Sequence, residues 1–393
     1  MDKRERFGQV FTYFILIMWF ATEVLLSSTL EYIFVWKVED LNVATAMIFL
    51  VLLVIQIVFF QKYTFSEIAI IVLITVPIII ATIHSGHNRM MSTWIFIVAA
   101  KLIDFETLAK FAYRIELLLT ILIIYLFYSG VINEYTIYRK SVLRHSLGFS
   151  HPNQLGVRIF LLVVCRCYLR RKKLNYIDWA IILFAAQFVN KVSNSKTSFY
   201  ALVILAVLTL IHLILQRFDG GRENLANVMI YTAVCCNIIS IVLSSISLGK
   251  YPILKQFDYL MSRRFSCCNK VLKYYGIKLF GQNISLQISR PVIGKYYHFW
   301  LDNAYMSILL RYGPIVFIIY SVLYIATMIL LRNIKEYMLV EILCLYAIYG
   351  IMENNFFSLS QNMFLLLLSY PIYKKIENNG MHKKIFTNLK ITW

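Results

Sequence analysis

The 393-residue chain is 60% hydrophobic and 15% charged, with 14 glycines and 6 prolines. Soluble domains carry about 25% charged residues and less than about 50% apolar ones, so the composition excludes a soluble globular protein. The scarcity of glycine and proline excludes disordered and collagen-like chains. The apolar residues fall in blocks long enough to cross a bilayer as helices, which predicts an all-α, polytopic membrane protein.

The chain has 39 Lys and Arg against 20 Asp and Glu, a net charge of +19. In a membrane protein such an excess is expected to reflect topology, and no stacking or base-reading motif indicates nucleic acid as a partner. The seven cysteines lack metal-ligand spacing and are interpreted as packing residues. We therefore expect no nucleic-acid partner, no metal and no cofactor.

The first apolar run, residues 9–30, is too long for a signal-peptide core and contains Glu23, so we predict an uncleaved first span. The chain is predicted to form one integral-membrane domain, 1–393, with about twelve spans. They are 9–30, 43–60, 66–84, 91–103, 115–132, 155–169, 176–190, 198–216, 228–248, 303–331, 338–352 and 360–373. With both termini in the cytoplasm, the RRKK cluster at 170–173 and the basic tail lie inside, as the positive-inside rule requires.

One long loop, 249–302, is predicted to lie outside. It holds nine Lys and Arg against two Asp, a net charge of +7. Long translocated loops escape the positive-inside rule, so this charge indicates an anionic ligand on the outer side: phosphate, pyrophosphate or an acidic sugar. The alternative is attraction to anionic lipid headgroups.

A polar, outward segment directly precedes the sixth span. Pro152 excludes His151 from helical geometry, and Asn153 is predicted to be the N-cap of the span. A helix N-terminus facing outward favours anions, so Arg144, His151 and Arg158 are predicted to converge there. The alternative is an ordinary capped helix with a snorkelling Arg158.

A second outward turn, residues 190–198, opens the eighth span. Thr197 or Ser198 is predicted to cap that helix. The cap would place a second helix N-terminus and Lys196 at the same outer face.

Residues 257–275 in the long loop repeat apolar residues at helical spacing, which predicts an interfacial amphipathic helix. The opposite face carries Arg263, Lys270 and Lys273, but Arg264 falls within the apolar face. A charge directed at the buried side needs a partner, for which we expect an anionic substrate group; the alternative is an internal salt bridge to a carboxylate. The apolar face comprises Phe257, Leu260, Met261, Phe265, Cys268, Val271, Leu272 and Tyr275.

The end of the loop carries the remaining candidates. Asp302 and Asn303 are predicted to cap the long tenth span, and Asp302 is a candidate general base whose alternative role is an N-cap alone. Arg311 lies about 180° from Asp302 on that helix and is interpreted as structural. His298 is a second candidate base, and Arg290 a candidate substrate ligand.

Four segments, in this order, resemble the bacterial oligosaccharide repeat-unit polymerases (the Wzy family) and the related O-antigen ligases. They are GFSHPNQLG before a span, NSKTS opening a span, LMSRRF…YYGIKLFG in the long loop and LDNAYMSILLRYG opening the next span. The resemblance covers the middle and C-terminal two-thirds of the chain. It implies a glycosyltransferase in the bacterial cytoplasmic membrane. Because the predicted outer segments contain no Asp-x-Asp or other metal-binding cluster, we expect that enzyme to be metal-independent.

The resemblance also assigns residues. The family's loop arginine falls on Arg264, and its S-R-T triplet falls on Ser195-Lys196-Thr197, where Lys replaces Arg and loses the bidentate fork. Ligases commonly carry His-Asn where this chain has Asp302-Asn303, which favours a polymerase, although His298 lies nearby. Together, the residue patterns and the resemblance predict catalytic roles for Arg264, Arg144, Asp302, His298 and His151, and substrate contacts for Lys196, Asn153, Arg158, Asn303 and Arg290.

The implied reaction transfers a polyprenyl-diphosphate-linked glycan onto the next lipid-linked repeat unit at the outer face of the membrane. The implied partners are that lipid-linked oligosaccharide, membrane lipid, and flippase and chain-length regulator proteins. The alternatives are an O-antigen-type ligase, a lipid-linked oligosaccharide flippase or other transporter, and a small binding or scaffold role. A transporter should carry ionisable residues at mid-membrane on several spans, whereas the charges here are predicted to crowd at the outer face.

Overall fold

The computed structural model describes residues 3–30, 38–139, 141–215, 218, 220–290 and 295–373. Across these ranges the chain is mainly helical, with two antiparallel hairpins formed by β1 (Ile137–Arg139) with β2 (Val142–Arg144) and by β3 (Gln287–Arg290) with β4 (Lys295–His298). Both hairpins lie in segments predicted to face the outside, so the all-α prediction needs correction only there. The α-helices are α1 Lys3–Leu26, α2 Val38–Phe60, α3 Phe65–Ser85, α4 Arg89–Ala99, α5 Phe105–Tyr128, α6 Pro152–Arg170, α7 Tyr176–Lys191, α8 Lys196–Leu215, α9 Gly221–Ser245, α10 Pro252–Leu260, α11 Arg264–Tyr275, α12 Ala304–Arg311, α13 Gly313–Asn333, α14 Tyr337–Met352 and α15 Tyr370–Tyr373.

Several helices begin at side-chain caps that are readable in the sequence. Thr64 forms a capping box with Glu67 at the start of α3, and Asn175 forms one with Asp178 at the start of α7. Asp104 accepts a hydrogen bond from the Thr107 amide at the start of α5. Each cap supplies an acceptor for an amide that the first helical turn leaves unpaired, which fixes the residue at which the helix begins. All three starts lie in segments predicted to face the inside.

Every predicted span contains helical residues, but seven of the described helices have the length and hydropathy to cross a membrane. They are Lys3–Leu26, Val43–Phe60 within α2, Phe65–Ser85, Phe105–Tyr128, Lys196–Leu215, Gly221–Ser245 and Gly313–Asn333. The polytopic helical class is therefore confirmed, while the number twelve stays a prediction. The last predicted span, 360–373, is mostly a 3₁₀-helix, Met363–Ser369, followed by the short α15.

The predicted tenth span, 303–331, is two helices rather than one. The chain turns at Tyr312, and Gly313 adopts a left-handed conformation (φ 84°). Gly313 lies so close to the loop that an added Cβ would be 2.3 Å from the Leu279 carbonyl oxygen. Because this contact admits only glycine, α12 ends under the long loop and α13 alone forms the crossing helix.

The long loop also breaks where one amphipathic helix, 257–275, was predicted. It forms α10 and α11, separated by Ser262 and Arg263, both with left-handed φ (57° and 61°). The buried Asp258 side chain accepts hydrogen bonds from the Phe265 and Ser266 amides at 3.1 and 3.3 Å and so caps α11 from the preceding helix. This remote cap stabilises the break, and the single-helix prediction is wrong.

The apolar face predicted for this helix is confirmed only in its second half. Phe265, Cys268 and Val271 of α11 are fully buried, and the last two join a small core with α12. Leu260 of α10 is 63% exposed, because the break rotates α10 away from that core. The long loop is therefore a packed cover over α12 rather than a free amphipathic helix.

Contacts between segments gather them at two opposite ends of the helices. At one end, Arg171 pairs with Glu106 at 2.8 Å and with Glu336 at 3.0 Å. At the other, the Thr29 amide donates to the Gly148 carbonyl at 2.9 Å, and Asn269 donates to the Ser244 carbonyl at 2.7 Å. The segments predicted to share a side of the membrane thus meet one another, while the orientation of the two ends stays a prediction.

Orientation is testable with single cysteines. In intact cells, a membrane-impermeant maleimide is expected to label Lys270→Cys in the long loop but not Lys173→Cys in the basic cluster, because the loop is predicted outside. The unsubstituted chain, which has free cysteines of its own, sets the background. Labelling of both positions from one side would contradict the predicted topology.

A buried ion pair and a buried histidine–carboxylate contact lie within the helices. Arg158 of α6 is 1% exposed and pairs with Glu116 of α5 at 3.4 Å. His212 of α8 contacts Glu341 of α14 at 2.6 Å. The prediction that the charges crowd at the outer face is therefore wrong for Arg158 and Glu116, which pair inside the bundle.

The Arg158 pair is expected to matter for stability. Arg158→Met leaves the Glu116 carboxylate buried without its cation, which costs about 3–5 kcal/mol for a broken buried pair. Replacing both partners by apolar residues is expected to restore most of the unfolding temperature of the purified protein. An unfolding temperature unchanged by the single substitution would contradict this role.

Candidate functional site at the outer end of the helices

Five separate segments line one small pocket at the predicted outer end of the helices. We call it the outer pocket. Its walls come from the first hairpin, the N-terminal turns of α6 and α8, the break between α10 and α11, and the end of α14. The lining residues are Arg139, Asn153, Lys196, Thr197, Tyr200, Leu260, Met261, Ser262, Arg264, Met352 and Glu353.

Gly156 explains why two of the sequence motifs meet there. A Cβ at Gly156 would lie 2.7 Å from the Ser195 Cβ and 3.1 Å from the Ser198 Oγ. The missing side chain therefore lets the first turns of α6 and α8 touch. This contact places Asn153 and Lys196 on the same pocket wall.

The cap of α6 is His151 rather than the predicted Asn153. His151 Nδ1 accepts a hydrogen bond from the Asn153 amide at 3.0 Å, and Pro152 occupies the first helical position. Pro152 holds His151 in an extended conformation suited to an N-cap, which explains the difference of two residues. Burial, followed by Arg144 and Arg139, lowers the pKa of His151 below its ordinary value.

Arg144 lies behind the pocket wall. Its Nε donates to the Ser193 carbonyl at 2.8 Å and one Nη to Asn153 Oδ1 at 2.5 Å. Burial and the nearby Arg139 lower the pKa of Arg144 to about 10. Arg144 therefore joins the first hairpin to α6 and to the turn before α8, and orients Asn153 toward the pocket.

The start of α8 also differs from the prediction. The helix begins at Lys196, so Thr197 and Ser198 lie in its first turn, and neither is the cap. The Thr197 hydroxyl instead donates to Glu353 Oε1 at 2.8 Å. Lys196 is exposed and lines the pocket.

Arg264 has partners within the chain. Its guanidinium forms an ion pair with Asp302 through Nη1, and Nη2 lies 3.4 Å from Glu353 Oε1. The alternative of an internal salt bridge therefore describes this structure, while contact with an anionic substrate group stays a prediction. Arg264 also lines the pocket, where its 19% exposed side chain is accessible to a ligand.

Asp302 and Asn303 were both predicted to cap the helix that follows them, but only one of them does. Asn303 is the cap of α12, because its Oδ1 accepts from the Met306 amide at 3.0 Å. Its Nδ2 donates to Ser240 Oγ and to the Ile351 carbonyl, which ties α9, α12 and α14 together. Asp302 is not the cap, and its carboxylate faces Arg264.

Glu353 is the residue that sequence reasoning missed. It is the C-cap of α14, 15% exposed, and both its described contacts use Oε1. Burial raises the pKa of Glu353 above its ordinary value, against the opposing effects of Arg264, Thr197 and Arg139. The signal was an acid directly after an apolar span, where the negative end of the helix dipole disfavours an anion.

The remaining predicted site residues are distributed as follows. Arg158, expected to converge with Arg144 and His151, instead points into the bundle toward Glu116 and the Ser360 carbonyl. The backbones of Arg290 and His298 lie in the β3–β4 hairpin, and their side chains lie outside the described residues. Of the predicted site residues, Asn153, Lys196 and Arg264 line the outer pocket. The others that lie near it act from behind the lining, through the contacts described above; they are Arg144, His151, Asp302 and Asn303.

Comparison with known proteins gives one partial similarity. The chain is 24% identical over 199 residues to the ComP-specific O-oligosaccharyltransferase of Acinetobacter baylyi. The match spans 48% of this chain and 32% of that protein, so it covers about a third of the relative's length. No protein-family model and no solved structure matches the chain. The similarity is therefore to part of one glycan-transferring enzyme.

Proposed function

We propose that the chain is a membrane glycosyltransferase that moves a glycan from a polyprenyl diphosphate to a hydroxyl acceptor at the outer pocket. The observation that carries the proposal is the convergence of Arg139, Lys196 and Arg264 with the buried carboxylate of Glu353. The similarity to the A. baylyi oligosaccharyltransferase supports the same class of reaction.

The cations of the outer pocket stabilise the leaving diphosphate. When the bond between the sugar C1 and the diphosphate oxygen breaks, both electrons stay on the oxygen, and negative charge develops there. Arg264, Lys196 and Arg139 line the pocket and supply charge-assisted hydrogen bonds to that oxygen. Arg144 acts as a positioning residue through Asn153, and the product is polyprenyl diphosphate.

Glu353 is proposed as the general base. Its Oε2 accepts no hydrogen bond from the described residues and is available to the acceptor hydroxyl, whose proton it takes as the new glycosidic bond forms. His151 is less suited, because its Nδ1 already accepts the capping amide. Asp302 is proposed to hold the Arg264 fork in place, and a role for His298 stays a prediction.

The acceptor distinguishes two versions of this function. We propose a repeat-unit polymerase, whose acceptor is a second lipid-linked oligosaccharide, on the resemblance of the four motifs and on Asp302 where ligases carry His. The similarity to an O-oligosaccharyltransferase favours the second candidate, a ligase-type transfer to another acceptor. Partnership with a flippase and a chain-length regulator belongs to the first version.

The test is deletion of the gene, followed by gel analysis of the cell's polysaccharides. A polymerase is expected to leave single repeat units in place of long chains, and a ligase to leave full-length polymer on its lipid carrier. Unchanged polysaccharide would refute both versions. With the purified enzyme in proteoliposomes, transfer is expected to continue in excess chelator, and restoration of lost activity by Mg²⁺ or Mn²⁺ would refute metal independence.

A further inference from the structure

A second pocket, with a cavity volume of about 140 Å³, lies beside the outer pocket. We call it the cationic pocket; its polar walls come from the turn between α3 and α4, from α12 and from Asn354. His87, Arg89 and Arg311 line it, and no Asp or Glu does. Because Asn354 follows Glu353, the two pockets flank the same short segment at the end of α14.

Of the two arginines in this pocket Arg311 is half-buried and Arg89 is exposed, and neither forms an ion pair with a described residue. Within the described ranges, no carboxylate lies within ion-pair distance of Arg89 or Arg311, although Glu23 is within electrostatic range of Arg89. Arg311 Nε and His87 Nε2 are buried and form no hydrogen bond with the described residues. By contrast, Arg158, Arg171 and Arg264 each contact a carboxylate.

Two arginines that line one pocket without an acid repel each other, and the buried Nε of Arg311 has no acceptor among the described residues, which is costly unless an anion binds there. Paired guanidinium forks match the oxygens of a phosphate group. Burial, followed by Arg311 and Arg89, lowers the pKa of His87 below 6.5, so the imidazole adds a neutral hydrogen-bonding group rather than a third charge. These features favour an anion with several oxygens, such as a phosphate ester, as the ligand.

We propose that the cationic pocket is a second anion site, which binds the phosphate or diphosphate group of a lipid through Arg89 and Arg311. The source of that lipid rests on the proposed function. Joining two polyprenyl-diphosphate-linked glycans brings two diphosphates to one enzyme, and the outer pocket accommodates the one that leaves. The alternative source of the same chemistry is the headgroup of a bulk anionic lipid.

The test uses the full chain in phosphatidylcholine nanodiscs, titrated calorimetrically with farnesyl diphosphate. Two binding events per chain are expected. Arg89→Gln and Arg311→Gln are each expected to weaken one event by tenfold or more and to leave the other unchanged. Lys278→Gln, an exposed cation on the same loop side, is the matched control and is expected to leave both events intact.

A stability measurement separates ligand binding from a structural role. Without diphosphate, Arg89→Gln is expected not to lower the unfolding temperature, because it removes repulsion from Arg311; a clear loss would contradict the site. Repeating the titration in phosphatidylglycerol discs identifies the source: the event survives for a lipid diphosphate and disappears if bulk headgroups occupy the pocket.

A single binding event that neither arginine variant changes would overturn the proposal while leaving the glycosyltransferase intact. Conversely, loss of one event in both variants, together with normal polysaccharide in the deletion strain, would support the anion site and refute the proposed function. The two inferences can therefore fail separately.

Discussion

Glu353→Gln is expected to lower the rate of glycan transfer by about a hundred- to ten-thousandfold, the range for loss of a positioned general base. Glutamine keeps the size of the side chain and can still accept the Thr197 hydroxyl at its carbonyl, so the end of α14 should stay folded. The amide cannot take the acceptor's proton. The measurement is the initial rate of product formation from a lipid-linked oligosaccharide in proteoliposomes.

The pH dependence adds a second readout. A base acts when ionised, and the pKa of Glu353 is raised above its reference value of 4.5. Activity is therefore expected to be present above that raised pKa and to fall as the pH drops through it, at a higher pH than for an exposed glutamate. This fall at low pH, the acid limb of the pH profile, should be absent from the residual activity of Glu353→Gln.

Asp302→Asn is the matched control, because it makes the same chemical change at a neighbouring carboxylate. Asn303 caps α12, so the helix does not depend on Asp302, and Arg264 keeps its contact with Glu353. We expect a smaller loss of rate than for Glu353→Gln and an unchanged acid limb. A larger defect in Asp302→Asn would reverse the roles proposed for the two acids.

Local signals predicted much of the helical framework. The span predicted at 176–190 is observed as Tyr176–Lys191, because its start is set by a capping box in the sequence. The break at Gly313 had a signal too, since Gly-Pro marks turns, but the apolar run across it dominated the prediction. Helix existence thus follows from apolar length and caps, whereas breaks depend on contacts made by distant segments.

The site was predicted less completely for the same reason. Nothing local in Met261-Ser262-Arg263 favours a left-handed turn, and the cap that stabilises it comes from Asp258. Arg264 was found because a charge within an apolar helix face needs a partner, but the helical spacing could not identify that partner. Glu353 lies 89 residues away in sequence, and only the fold brings the two side chains together.

Arg264→Lys is expected to lower the rate of glycan transfer by about a hundred- to a thousandfold, the cost of losing one preorganised donor to a developing anion. The variant keeps the charge but loses the planar fork, which in this structure spans Asp302 and Glu353 with two different nitrogens. A single ammonium group cannot hold both carboxylates and also face the diphosphate oxygen.

Arg263→Lys is the control for Arg264→Lys, because it makes the same change one residue earlier in the chain. Arg263 is exposed and lies over the Tyr259 ring, 5.8 Å from its centroid, outside the lining of the outer pocket. It should lose little activity. The measurement is polymer length and yield in a deletion strain carrying each variant, with membrane protein levels compared by blot. Equal defects, or a defect at Arg263 alone, would mean that the guanidinium at the pocket has been assigned to the wrong residue.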